Sequence, residues 1–263
     1  MYVNNLNNIS DITPLIICGN ARSGTRMMTD IANSHSNIVI QEEMHAKTIE
    51  AYFNLVENVN KNFEHYSDRK GYKLSNHWEN SQKSLTISFL SFANKKPMVG
   101  YDKNVKYYGI KTPGFERYYN QFESVFNGQA KYIYCLRNPA SVWRSWKSLD
   151  FVDDIEIFKA RYTRSLRQAV KIKNNSPQRF ALFNLDEYIS SPDKTHYVSN
   201  TVLSSIGISE EFNAGTIESL ENRNSMQKRG SKPNEGSKFN EEKQYLEEDI
   251  AILKYRNMLI TDE

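Results

Sequence analysis

The sequence predicts an α/β protein, a three-layer αβα sandwich around a central parallel sheet. Two observations carry that expectation. Short apolar runs alternate with segments of helical periodicity along most of the chain. Two of those runs, Pro14–Cys18 and Lys131–Leu136, lead through a glycine loop or an Arg-Asn-Pro turn straight into a helix.

Taken in order, Pro14–Cys18 is a strand stopped by Gly19, and after Gly24 the residues Met27, Met28, Ile31 and Ala32 recur with helical spacing. Ile38–Ile40 is a second short strand. Helical patterns cover Glu42 to about Phe63 and about Trp78 to Ala93, with a polar loop around Asp68 to Gly71 between them. Tyr107–Ile110 is a third strand. Pro113 suits the first turn of a helix that carries Phe115, Tyr118, Tyr119, Phe122 and Val125 on one face. Lys131–Leu136 is strongly β-like, and Pro139 opens a helix that lasts to Leu149. Phe151 to Ile172 is helical, Phe180–Leu185 is a strand, and Pro192 to Ile206 is a helix with Gly207 as its stop. Asn222 to Phe239, rich in Lys, Arg, Ser and Gly, reads as a loop before a last helix from Glu241 to about Met258. In a sheet of this kind, ligands bind at the carboxyl ends of the strands.

The chain has 263 residues, enough for one large α/β domain or two small ones. A hydrophobic fraction of 39% with 12% aromatics excludes a disordered chain, which needs few aromatics and a large net charge. The net charge of +3 argues against a protein that coats nucleic acid, but leaves room for a local basic pocket. No stretch approaches the roughly 20 apolar residues of a spanning helix, and Met1 to Asn5 lacks the basic-then-apolar pattern of a signal peptide, so a cytoplasmic protein is expected. Cys18 and Cys135 lie inside apolar runs and read as buried, reduced thiols. With neither Cys-x-x-Cys nor a His/Cys cluster, no metal is expected.

The segment Gly19-Asn20-Ala21-Arg22-Ser23-Gly24-Thr25, between strand and helix, has the makings of a phosphate cradle, because glycines let backbone N–H groups turn toward an anion at a helix N-terminus. A nucleotide kinase is one reading of it. A Walker A loop, however, needs Gly-Lys-Ser/Thr, and here Gly24 is followed by Thr25-Arg26. A glycine turn without any ligand is another reading. Arg137 ends the second apolar run and Ser145 follows eight residues later on the ensuing helix, so a guanidinium and a hydroxyl can converge on a second phosphate. Two anion sites on one sheet point to a bisphosphorylated nucleotide.

These residues resemble the sulfotransferases that use 3′-phosphoadenosine 5′-phosphosulfate (PAPS), whose fold is P-loop-like. Arg22-Ser23-Gly24-Thr25 is similar to their 5′-phosphosulfate loop, near residues 19–26. Arg137-Asn138-Pro139 through Ser145 is similar to their 3′-phosphate motif. Within the family, the tyrosylprotein and heparan sulfate type enzymes are closer than the cytosolic phenol and steroid enzymes, whose catalytic His has no counterpart here. His35-Ser36-Asn37-Ile38-Val39-Ile40-Gln41-Glu42-Glu43 resembles their His-Pro-Asp-Val segment, which leads to an acidic base; the resemblance places the base at Glu43, with Glu42 as the alternative. Lys111-Thr112-Pro113 resembles the family's Lys-(Asp/Ser/Thr)-Pro segment, whose Lys reaches the reaction centre. Gln227-Lys228-Arg229-Gly230-Ser231-Lys232-Pro233 is similar to the basic loop, here about 222–239, that closes over the 3′-phosphate and adenosine. Where the family often carries a Tyr near the adenine, this chain has Leu185.

The resemblance implies sulfuryl transfer from PAPS to a hydroxyl or amine, with release of adenosine 3′,5′-bisphosphate (PAP). Glu43 is then the catalytic base, while Lys111 and Arg22 stabilise the sulfonyl oxygens and the leaving phosphate. Ser23, Gly24, Thr25 and Arg26 belong to the 5′ site, and Arg137, Ser145, Lys228, Arg229 and Gly230 to the 3′ site. No metal is required, and residues 1–263 form a single sulfotransferase domain, monomeric or homodimeric. The expected acceptor is a natural product or another small molecule, or a saccharide. A cationic one follows if Asp150, Asp153, Asp154 and Glu156 line its pocket; a solvated helix start is the competing reading of that cluster. An NTP-dependent small-molecule kinase and a noncatalytic nucleotide- or glycan-binding protein remain as readings from other classes.

Overall fold

Five parallel strands form the centre of the computed structural model, which describes residues 11–70, 76–91, 105–209 and 237–261 together with Phe212, Ile217 and Leu220. They are β1 (Thr13–Gly19), β2 (Ile38–Gln41), β3 (Tyr107–Lys111), β4 (Lys131–Leu136) and β5 (Phe180–Asn184), in the order β2-β3-β1-β4-β5. The helices are α1 (Thr25–Ser34), α2 (Ala46–Lys70), α3 (Asn76–Ser91), α4 (Tyr119–Phe126), α5 (Pro139–Lys147), α6 (Ile155–Asn175), α7 (Leu185–Ser190), α8 (Ser237–Glu247) and α9 (Ile250–Ile260). An unlabelled helical segment starts at Lys194–His196, widens into a π-helical Tyr197–Leu203 and tightens through Ser204–Ile206 to Gly207.

Both faces of the sheet are buried, which is why the strands read as unbroken apolar runs rather than as alternations. Ile16, Tyr108 and Tyr134 pack with Phe53 of α2, Phe122 of α4 and Leu166 of α6 on one face. Leu15, Ile17 and Ile133 pack with Met28 and Ile31 of α1 and with Val198 and Val202 on the other. The three-layer α/β expectation holds. Cys18 and Cys135, both free and buried, belong to opposite faces.

The strand order turns at β1: β2 and β3 lie on one side of it, β4 and β5 on the other. The register Gly19↔Cys135 sets the end of β1 beside the end of β4, so the loops after both strands open into one crevice, the position where α/β sheets bind ligands.

Several helix boundaries differ from the sequence reading, each for a local reason. Residues 42–45 are not helical: Met44 N–H donates to the Thr112 hydroxyl at 3.1 Å, and α2 starts only after His45, whose Nδ1 accepts from Lys47 N–H at 3.2 Å. Its far end continues through Asp68 to Lys70 instead of opening into a loop there. After β3 the chain passes Gly114 in the left-handed region (φ 83°) and a 3₁₀ turn, Phe115–Tyr118, before α4 begins. Asp154 accepts from the amides of Glu156 and Ile157 and so fixes the start of α6 at Ile155 rather than Phe151. Asn184 caps α7, a helix the sequence reading does not contain. The last helix is two helices, because the Asp249 carboxylate caps α9 through Ile252 N–H at 2.9 Å, and α8 already starts at Ser237.

Candidate active site

The loop after β1 is shaped by its glycines. Gly19 (φ 129°) lies so close to β4 that an added Cβ would stand 2.4 Å from the Cys135 carbonyl oxygen, and Gly24 (φ 94°) turns the chain into α1. Between them Arg22 also adopts a left-handed backbone (φ 74°), which costs a non-glycine residue about 1–2 kcal/mol.

The contacts that hold the loop around Arg22 in that state come from α5 and from Arg137, two residues ahead of it. Arg22 Nε donates to Ser145 Oγ at 2.8 Å, Arg137 Nη1 donates to the Arg22 carbonyl at 3.2 Å, and Trp146 Nε1 donates to the Ala21 carbonyl at 2.8 Å. The two anion motifs, far apart in sequence, are thereby one cluster. Two polar atoms inside it, Ser23 Oγ and Arg137 Nε, are buried and have no hydrogen-bond partner among the described residues. Leaving such groups unpaired is costly, so their natural complement is an anion that accepts from both. Burial lowers the affinity of the Arg137 guanidinium for its proton and the Asp186 carboxylate opposes that shift, but a guanidinium remains cationic.

Arg137 is itself held from behind. Its carbonyl accepts from Tyr162 O–H at 2.5 Å and from Arg256 Nη1 at 2.8 Å. Asn138 caps α5 by accepting from Ser141 N–H, donates its own amide N–H to Asp186 at 2.5 Å, and donates from its side chain to Glu247 of α8 at 2.9 Å. Glu242 joins α8 to α5 through Trp143 Nε1 and Lys147 Nζ, both at 2.9 Å. Trp146 and Arg256 carry no motif and were not legible as part of the site; Asp186 follows Leu185 in the segment compared with the family's adenine-side Tyr, but its contact with Asn138 was not legible.

On the other side of β1, Lys111 Nζ meets Glu43 Oε1 at 2.6 Å. The ammonium is buried, its side chain 7% exposed, whereas the carboxylate is 58% exposed and so remains open to a partner from the cleft. The chain segments leaving β2 and β3 run side by side from there: Glu43 meets Lys111, Met44 meets Thr112, and Glu50 accepts from Tyr118 O–H at 2.5 Å. Of the two adjacent carboxylates, Glu43 is the one paired with Lys111.

The remaining site expectations fare differently. Gly24 and Thr25 are the turn and first residue of α1, while Arg26 is exposed on that first turn and takes no part in these contacts. Lys228, Arg229 and Gly230 lie outside the described residues, as does most of the loop 222–239. Leu185 packs against the loop, its side chain 3.1 Å from where a Cβ on Gly24 would stand. In the acidic cluster Asp154 is a helix cap, and Glu156 pairs with Lys159 at 2.8 Å and with Tyr245, which supports the helix-start reading. Among the described residues no group of three or more His, Cys, Asp or Glu could hold a metal ion, and no helix is long and apolar enough to cross a membrane.

Arg22 thus combines a strained backbone with a side chain that ties the loop to Ser145 of α5. Arg22→Gly is expected to leave the melting temperature unchanged or slightly higher and to weaken nucleotide binding at least tenfold, as read by thermal denaturation and titration calorimetry.

No curated protein sequence matches the chain. The sulfotransferase domain of the Synechococcus PCC 7002 olefin synthase is similar over 96% of this chain and 96% of that one, with 13% identity and a TM-score of 0.57, which shows a shared fold. Sulfotransferase structures from Mycobacterium tuberculosis H37Rv (14% identity, 85% and 74% of the two chains, TM-score 0.45) and Mycobacterium avium (14%, 84% and 70%, 0.42) are also similar. The profile of the sulfotransferase family matches residues 14–195, which run from β1 through both anion motifs and the Glu43–Lys111 pair to the segment after α7. The chain belongs to the sulfotransferase family.

Proposed function

We propose that the chain moves a sulfuryl group from PAPS to a hydroxyl or amine of a small-molecule or saccharide acceptor by in-line displacement, releasing PAP. The observation that carries this reading is the joining of Arg22, Ser145 and Arg137 into one cluster with two buried unpartnered donors, next to a carboxylate–ammonium pair. When bound, PAPS supplies a sulfuryl group activated by its phosphate leaving group.

The residues divide the work by position. The backbone amides of Gly24 and Thr25, at the N-terminus of α1, hold the 5′-phosphate end, since Ser23 N–H already donates to the Asn20 carbonyl at 3.1 Å, and the Arg22 guanidinium adds charge there. Arg137 and Ser145 hold the 3′-phosphate and so favour this nucleotide over ATP. Lys111, buried at the end of β3, steadies the negative charge that builds on the leaving oxygen. Glu43, the exposed partner of that pair, takes the proton from the acceptor as it attacks. Proximity and fixed charge do the rest, so the positive groups of the chain stand where other transferases use a metal. The assignment of the base to Glu43 follows the resemblance of the His35–Glu43 segment to the tyrosylprotein and heparan sulfate type enzymes.

Thermal shift with PAP and with ATP, each with and without magnesium, tests the reading. PAP is expected to stabilise the protein more than ATP, and independently of magnesium. Stronger stabilisation by ATP with magnesium would make the chain a kinase; stabilisation by PAP without transfer of label from sulfur-35 PAPS to any acceptor would make it a binding protein.

A further inference from the structure

A fully buried carboxyl lies directly beneath the glycine loop. Glu116, in the 3₁₀ turn after β3, is 3% exposed. Its Oε2 accepts from Gly19 N–H at 3.1 Å and its Oε1 from Ser165 O–H at 2.5 Å, while Ser165 Oγ is also 2.9 Å from the Tyr134 hydroxyl. Among the described residues no ion pair compensates it; the adjacent Arg117 is turned to Tyr118 and Glu50 near the surface. A buried carboxyl without a charged partner opposes folding, and an apolar side chain would fill the same space.

What it does is visible in the ladder. β3 pairs with β1 only as far as Ile17↔Lys111, two residues short of Gly19. Beyond that point Thr112 N–H still reaches the Ile17 carbonyl and Gly114 N–H reaches the Gly19 carbonyl at 2.9 Å, but Gly19 N–H has no strand to pair with. The Glu116 carboxyl takes the place of the missing strand. The same short segment, 111–116, thus carries Lys111 at one end and holds the first residue of the loop at the other.

We propose that Glu116 is a positioning residue for the sulfuryl donor: by fixing Gly19 it sets the direction of the loop amides and keeps them in register with Lys111. This rests on the donor-site reading above. Burial raises the proton affinity of this carboxyl, and in its neutral form it still accepts from Gly19 while placing no extra negative charge beneath an anionic nucleotide. Glutamine reproduces that form: its oxygen can accept from Gly19 and its NH₂ can donate to Ser165, which then donates to Tyr134.

PAP affinity measured by calorimetry on folded wild type, Glu116→Gln, Glu116→Leu and Ser165→Ala tests it. Wild type and Glu116→Gln are expected to agree within about threefold, and Glu116→Leu to bind at least tenfold more weakly while still melting cooperatively. Leu binding as tightly as wild type, or Gln binding as weakly as Leu, overturns the proposal. If the Leu variant does not fold, Ser165→Ala decides: a loss of about threefold or more supports the clamp, and unchanged affinity overturns it. Failure of wild type itself to bind PAP would instead overturn the donor-site reading.

Discussion

Turnover of Glu43→Gln is expected to fall by about 10²–10⁴-fold, the usual contribution of a general base, with PAP affinity unchanged or a few-fold tighter. The carboxylate is the exposed member of its pair, so removing its charge takes away the proton acceptor without opening the core. The second half of the expectation follows from Lys111. Its buried ammonium loses its counter-ion in the variant and becomes free to meet an anionic nucleotide more strongly. Steady-state rates with a sulfur-35 donor and calorimetry with PAP read the two effects separately. Turnover that survives in Glu43→Gln would move the base to Glu42 or another group.

Arg137→Ala is expected to weaken PAP binding by roughly 1.5–3 kcal/mol, or about one to two decades, as the loss of a charge-assisted contact does. The upper end is the better expectation, because the guanidinium also braces the Arg22 carbonyl, so the loop loses support along with the phosphate contact. Calorimetry with PAP and with adenosine 5′-phosphate distinguishes the two components: the 3′-phosphate contact affects only the first ligand, the loop brace affects both. Equal affinities of wild type and variant for PAP would remove Arg137 from the 3′ site.

The elements that carry these residues were legible because apolar runs end there in strong local punctuation. Gly19 and Gly24 bracket the first loop, and Asn138-Pro139 opens α5 with a capping side chain and a ring suited to a first helical position. Glu43 and Lys111 were singled out by the resemblance and not by periodicity, which placed Glu42 and Glu43 in a helix that starts only at Ala46, and their ion pair was not foreseen. What tied them down was a tertiary contact, Met44 to Thr112, that no local pattern encodes. The same holds for the hydrogen bond between Arg22 and Ser145, which the sequence places in separate motifs and only the β1–β4 register brings together. Glu116 was hidden differently: it sits between Phe115 and Tyr118 on what reads as the polar side of an amphipathic helix, yet the 3₁₀ turn directs it into the core. Asp249 was hidden likewise, since a carboxylate on a helix surface and a carboxylate at a helix start look alike in sequence.

A crystal structure of the protein with PAP tests the central claim most directly. The account expects the 5′-phosphate against the amides of Gly24 and Thr25, the 3′-phosphate between Arg137 Nε and Ser145 Oγ, and Glu43 facing the open side of the 5′-phosphate. A 3′-phosphate bound away from Arg137, or a nucleotide that leaves Ser23 Oγ and Arg137 Nε without a partner, would contradict it.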